Sequence, residues 1–264
     1  MVALLIRMLG DGVFLIWSLT PTIAALIILL ALTREGYSKE GWKSLGLHRF
    51  GLRIWWLAFG LTLLISLIAS FIVWVTPFAS FVMPRVGAAV VLLNFLIMVA
   101  FTLPFALGEE IGMRGYLLSK LLPLGRTRAL AVVGLVHAAW HMPLLFLTPL
   151  YHTAGNKLIV LPLFVGTIVA ASFVFGYLRI YTGSVWPASI AHAVHNAAWL
   201  TLAAFTVTSS PVIVNEYLVG DNGLLILATT ALAAAGLGYI FFRRGLNKNA
   251  QPSVAGGEVA LETK

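Results

Sequence analysis

Apolar residues run in long unbroken stretches, and polar residues collect between them. Seven such stretches stand out, at Val13–Leu32, Ile54–Thr76, Ala88–Leu107, Ala129–Leu147, Leu158–Leu178, Val185–Val207 and Gly223–Phe242. Each is close to the ~20 residues that a helix needs to cross a hydrocarbon core about 30 Å thick. The runs are continuous rather than alternating, which speaks against a membrane barrel. A backbone surrounded by lipid must satisfy its own hydrogen bonds, so each run is predicted to be a helix. The fold expected is all-α, a polytopic membrane protein of about seven helices with short loops. It forms one domain over residues 1–244, followed by a disordered polar tail at 245–264 (GLNKNAQPSVAGGEVALETK begins at Gly245). The first run has no basic start and no small-residue cleavage site, so it reads as an uncleaved span.

Composition strengthens this reading. Of 264 residues 60% are apolar and only 10% charged, and the mean hydropathy is +0.98. A soluble domain carries roughly a quarter charged residues. There is no cysteine, which excludes disulfides, thiolate metal sites and a cysteine nucleophile. The net charge of +8 does not indicate nucleic acid, because the basic residues lie in the loops between apolar runs. They report topology instead. Arg34, Lys39, Lys43, Arg49, Arg53, Arg114, Lys120, Arg126, Arg128, Arg179, Arg243, Arg244, Lys248 and Lys264 fall on one side, and only Arg7, Arg85 and Lys157 on the other. Basic loops favour the cytoplasm, so the C-terminus is expected inside and the N-terminus outside. Composition and size suggest a bacterial plasma membrane.

Against this background, a few ionisable residues stand where they are costly. Seven of the nine acids fall in loops, run ends or the tail, but Glu109 and Glu110 directly follow an apolar run. His137, His141, His192 and His195 lie inside runs, with Asn196 beside the last. Intramembrane ionisable groups are functional candidates by default. Glu110 and Arg114 are four residues apart and can pair on one helix face, while Glu109 is turned about 100° away. Arg114 thus neutralises Glu110 and leaves Glu109 for proton transfer. His137 and His141 share a face, and His192 and Asn196 repeat the spacing on another helix. A turn at Pro123–Thr127 folds the third run back on the fourth. Glu110 and His141 then lie at similar depths, roughly 20 Å from the turn. Three helices are therefore expected to aim Glu109, His141, His192 and Asn196 at one cavity.

Several intramembrane chemistries can be eliminated. An aspartyl protease needs two buried aspartates, and no Asp lies in a run. HExxH is absent, and Ser172, Ser184 and Ser189 have no nucleophile-type context. What remains is glutamate and histidine acting on water, with or without a metal. A non-catalytic or proton-coupled carrier, or an immunity-type peptide-binding protein, would use the same polar set. Against the carrier stands the lack of an internal repeat.

The segments EEIGMR (Glu109–Arg114), WHMP (Trp140–Pro143) and HAVHN (His192–Asn196), with GWKSLGL (Gly41–Leu47) and GYLRIYTGSVWPASIAHA (Gly176–Ala193), carry a family resemblance. The chain resembles the CPBP intramembrane proteases, also called the Abi or CAAX-protease-like family and related to the type II CAAX prenyl endopeptidases. The likeness centres on residues 95–200. It implies that Glu109 activates water, that His141 shares it, and that His192 and Asn196 stabilise the oxyanion. Glu110 and Arg114 would order the site. The family pattern has Phe where this chain has His137, a further imidazole that can orient a neighbour or ligate a metal. The reaction implied is endopeptidase cleavage near the membrane face, with membrane lipid and a peptide or lipidated protein C-terminus as partners. Many relatives are linked instead to bacteriocin self-immunity or peptide processing. The metal-free glutamyl mechanism is favoured, with no cofactor required. If a divalent metal such as zinc takes part, Glu109, His141 and His192 are its expected ligands.

Overall fold

The computed structural model of the chain describes residues 12–148, 152 and 154–243. The expected tail at 245–264, with Arg244, Lys248 and Lys264, lies outside the described residues, as does Arg7. Helix α1 (Gly12–Ile27) ends in a π turn at Ile28–Leu32. A short helix α2 (Lys39–Ser44) follows, capped by the Ser38 side chain. Then come α3 (Trp55–Trp74), α4 (Ala88–Glu110), α5 (Arg126–Leu147), α6 (Lys157–Thr182), α7 (Trp186–Ala203) and α8 (Leu224–Arg243). A helix thus stands at each apolar run. Among the described residues four helical stretches are long and apolar enough to cross a membrane, namely Leu52–Trp74, Ala88–Leu124, Arg126–Leu147 and Lys157–Thr182. Among the described residues the one departure from all-α is a two-stranded antiparallel pair, β1 (Ser80–Phe81) with β2 (Thr206–Val207).

The main correction concerns the segment after Glu110. The charge count places Arg114 and Lys120 among loop residues, whereas the pairing of Glu110 with Arg114 takes the segment as helical, and the helix does continue. A π-helical stretch at Ile111–Leu117 leads into a helical turn at Leu118–Leu121, so residues 88–124 form one rod. Arg114 is consequently not a loop charge. It lies inside the rod, 1% exposed. Pro104 sits within α4, yet the change from α to π geometry comes later, after Glu110.

Helix α7 is the centre of the bundle and packs against α3, α4 and α6. Its Ala188, Ala191, Ala193, Val194, Ala197 and Ala198 are all fully buried. Small side chains let helix backbones approach closely where lipid supplies no hydrophobic drive for association. A helix walled by protein also has no need of the bulky apolar surface that lipid-facing helices require. Those outer helices show it, with Leu64, Phe71, Leu93, Ile97 and Phe101 all exposed.

Helix α1 meets α4 at a second small-residue contact, Gly108-x-x-x-Gly112. A Cβ on Gly112 would lie 2.5 Å from the backbone of Pro21, and one on Gly108 would lie 3.0 Å from the carbonyl of Ser18. The Thr22 hydroxyl donates to the Gly108 carbonyl across the same contact. Gly112→Ala should therefore force the helices apart and lower stability by about 1–3 kcal/mol, the usual range for overpacking. Gly60→Ala, where a Cβ meets nothing within 4 Å, should leave stability within about 1 kcal/mol of wild type. Thermal unfolding in detergent checks both.

Candidate active site

The rod α4 carries the two glutamates at the point where α geometry gives way to π. Glu110 is completely buried, and its Oε1 accepts from Arg114 Nη1 at 2.7 Å. The same oxygen accepts from His192 Nδ1 of α7 at 2.9 Å. Arg114 Nη1 also lies 3.0 Å from His137 Nδ1 on α5. His137 Nε2 reaches Glu109 Oε2 at 3.2 Å, and that oxygen lies 3.8 Å from His192 Nε2. Glu110, Arg114, His137, Glu109 and His192 thus form a closed ring drawn from three helices.

The partners fix the tautomers. A guanidinium can only donate, so His137 Nδ1 must accept and Nε2 carries the hydrogen that points at Glu109. His192 Nδ1 donates to Glu110 and turns Nε2 toward Glu109. His141 Nδ1 donates to the His137 carbonyl at 3.1 Å, so the hydrogen of its neutral ring is on Nδ1. Aromatic rings close the remaining sides. Phe175 stacks on His192 with centroids 5.6 Å apart and lies under the Arg114 guanidinium at 5.4 Å. Trp140 packs edge-on to His141 at 4.5 Å and stacks on Trp17 of α1.

Exposure separates the two acids. The Glu110 side chain is 0% exposed, whereas that of Glu109 keeps 10%. Only Glu109 can meet water directly. His141 is half-buried beside it. Asn196 lies one turn beyond His192 on α7, also half-buried, and its side chain makes no hydrogen bond among the described residues. The structure thus joins Glu109, Glu110, Arg114, His137 and His192 by direct contacts, and sets His141 at the edge of the cluster. Asn196 is placed on the His192 face but outside the ring.

Two features escape a reading of the sequence. Ser18 of α1 hydrogen-bonds Glu109 through its side chain, yet a serine in an apolar run carries no marker. Its signal is indirect, in the glycines flanking the glutamate pair that allow α1 so close. The second is which neighbour His137 serves: named as a supporting imidazole beside His141, it contacts Glu109.

Metal binding can be tested against the same contacts. Ligand-type atoms of Glu109, His137 and His141 lie within 4.8 Å of one another, a grouping that brings in His137 where His192 was expected. The tautomer removes His137, however, because its Nε2 carries a hydrogen as long as Arg114 donates to Nδ1. His192, expected as the third ligand, is not part of that grouping, and its Nδ1 is held by Glu110.

Compared with known proteins, residues 89–198 match the family model described as type II CAAX prenyl endopeptidase Rce1-like. The match spans every residue of the ring together with His141 and Asn196, and leaves out α1 and the loop that carries α2. No curated protein matches the chain. The family match supports a CAAX-protease-type intramembrane peptidase.

The ring makes a prediction of its own. Arg114→Gln strands Glu110 in a buried site, which typically costs about 3–5 kcal/mol. The double variant Glu110→Gln, Arg114→Gln removes both charges and should recover more than half of that loss. Thermal unfolding of the two variants beside wild type checks the pair.

Proposed function

We propose that this integral membrane protein is a CAAX-protease-like endopeptidase that hydrolyses a peptide bond near the membrane face with water activated by Glu109. The observation that carries the reading is the division of labour between the glutamates. One is sealed and neutralised by Arg114, while the other is partly open and held by neutral N–H and O–H donors.

In this mechanism a water donates to Glu109 and to Nε2 of His141, whose Nδ1 is turned away to the His137 carbonyl. Glu109 takes a proton from that water as its oxygen attacks the scissile carbonyl. The carbonyl oxygen becomes an oxyanion, which the Asn196 amide stabilises together with His192 Nε2 when the ring carries both protons. Glu110 fixes His192 through Nδ1 and so sets where Nε2 points. When the tetrahedral intermediate collapses, the C–N bond breaks and Glu109 returns its proton to the departing amine. No cofactor is needed for these steps. Zinc held by Glu109, His141 and His192 would supply Lewis-acid activation of the same water.

The substrate proposed is a peptide or a lipidated protein C-terminus reaching the site from the bilayer. Seven crossings, with the basic loops and C-terminus in the cytoplasm of a bacterium, complete the proposed topology. The basic loops agree with it.

The test is cleavage of a quenched peptide ending in a prenylated CaaX sequence by the purified full-length chain. Glu109→Gln should lower kcat by about 10²–10⁴-fold, the scale of general-base loss. Asn196→Ala should lower kcat by about 10²–10³-fold with little change in KM, as for an oxyanion donor. Absence of cleavage by wild type would favour the carrier or immunity-type reading. Loss of activity with a chelator, restored by zinc, would overturn the metal-free mechanism.

A further inference from the structure

A second concentration of charge lies away from the ring, where the α6–α7 turn meets the loop between α2 and α3. Arg179, in the last turn of α6, donates from Nη2 to the Ser44 carbonyl at 2.7 Å. Its guanidinium lies across Gly46, where a Cβ would come within 2.8 Å of Cζ. Arg49 lies against the turn from the other side, its Nη1 3.1 Å from the position of a Cβ on Gly183. The two loops are tied by main-chain contacts, with Val185 N donating to the Gly46 carbonyl at 3.2 Å and Ser184 Oγ to the carbonyl of Arg49. Both glycines have left-handed backbones, φ +75 and +65, and the lack of side chains is what lets both guanidiniums lie so close.

What is unusual is the lack of compensating charge. Among the described residues neither Arg49 nor Arg179 pairs with a carboxylate, and Arg179 Nε is enclosed without a hydrogen-bond partner. The two cations repel one another. Lys43 stands nearby, paired only loosely with exposed Glu40 at 3.7 Å. His48 on the same loop is held below its ordinary pKa by desolvation and by the positive charge of Arg49, Lys43 and Arg179. Like charges gathered without a counter-ion await an anion.

The surroundings identify the kind of anion. Trp55 donates to the Phe50 carbonyl at 2.6 Å, Trp186 donates to that of Leu47, and the Phe50 and Trp186 rings touch with centroids 5.7 Å apart. Phe50, Leu52 and Trp56 are exposed at 57%, 66% and 72%. Indole rings with polar tips satisfied, beside bare apolar side chains and basic groups, are the composition of a membrane–water interface. Guanidinium forks match a phosphate in bidentate fashion, and a cytoplasmic leaflet supplies anionic headgroups to such sites.

We propose that Arg49 and Arg179, with Lys43 at the rim, bind the phosphate of an anionic phospholipid headgroup at the membrane interface. The headgroup bridges two segments that wall the catalytic ring. The loop end of α2 touches the π stretch, since a Cβ on Gly115 would lie 2.9 Å from the Leu45 carbonyl. On the other side, His192 is six residues into α7 from Trp186, about 9 Å along the helix axis. Bound lipid therefore braces the loop and the turn against each other. The inference concerns lipid binding alone and does not depend on the peptidase reading.

The test uses the full-length chain in neutral detergent, titrated with phosphatidylglycerol or with phosphatidylcholine of the same acyl length. Lipid retention is read by native mass spectrometry, and Tm by thermal unfolding. Phosphatidylglycerol should be retained at one per chain and raise Tm, and phosphatidylcholine should do neither. The gain should shrink between roughly 50 and 500 mM salt as screening shortens. Arg49→Gln is the decisive variant, because its exposed side chain makes no hydrogen bond among the described residues and its loss should not disturb folding. It should weaken phosphatidylglycerol binding by about tenfold, the scale of a charge-assisted hydrogen bond, as should Arg179→Gln if that variant folds. Arg53→Gln, an exposed cation on the same loop, should stay within about twofold of wild type. Equal retention of the two lipids, or an unchanged affinity in Arg49→Gln, would overturn the proposal. Displacement of the lipid by millimolar inorganic phosphate would assign the site to a soluble anion instead. Displacement by a soluble peptide acid but not by its amide would assign it to a peptide terminus.

Discussion

The pair formed by Glu110 and Arg114 is the constraint around which this bundle is arranged. A buried ion pair repays its desolvation only with close geometry and further hydrogen bonds. Here those bonds come from two other helices, His192 of α7 and His137 of α5. The charges therefore fix three helices relative to one another, and each helix places one working group as a by-product. Glu110 Oε2 and Arg114 Nε and Nη2 are buried without a partner among the described residues, so the pair is less well satisfied than one built only for stability.

That network requires very close packing, and the chain supplies it with small residues. Alanine fills the inner faces of α7, and Gly108 and Gly112 admit α1 to within contact of the glutamate pair. A bulkier helix at either place would hold the ionisable groups too far apart to pair. Aromatic residues then shield what the small ones expose. Phe175 covers both His192 and Arg114, and Trp140 covers His141 while donating to Thr20 of α1 at 3.0 Å. The helix outside the family match is thus part of the wall of the site.

Much of this was legible in the chain because charge is so rare in it. The glutamate pair, its arginine four residues on and the spaced histidines could be found by asking which ionisable groups sit in apolar runs. The i, i+4 rule correctly paired Glu110 with Arg114. Spacing could not show that His192 serves both glutamates, since that depends on how α4 and α7 cross. The charge count, by contrast, grouped Arg114 and Lys120 with the loops, because charges that are buried or paired across the fold mimic one. Arg114 is enclosed, and Lys120 reaches Glu35. Ser18 was invisible because a hydroxyl in an apolar run is ordinary. The glycines beside the acids carried the usable signal, the spacing that lets helices touch.

The π stretch at Ile111–Leu117 has a consequence for how this chain can change. Such a stretch is an α-helix holding one surplus residue, accommodated by a bulge rather than by a break. The winding on either side stays regular, and the surplus residue is taken up locally. Glu110 closes the α-helical part and Arg114 lies inside the π stretch, so their pairing is made across this local winding. Gly115, in the same stretch, lies under the Leu45 carbonyl. A change of length here would alter the winding where both contacts are made, so this short segment is where the chain's spacing is least negotiable.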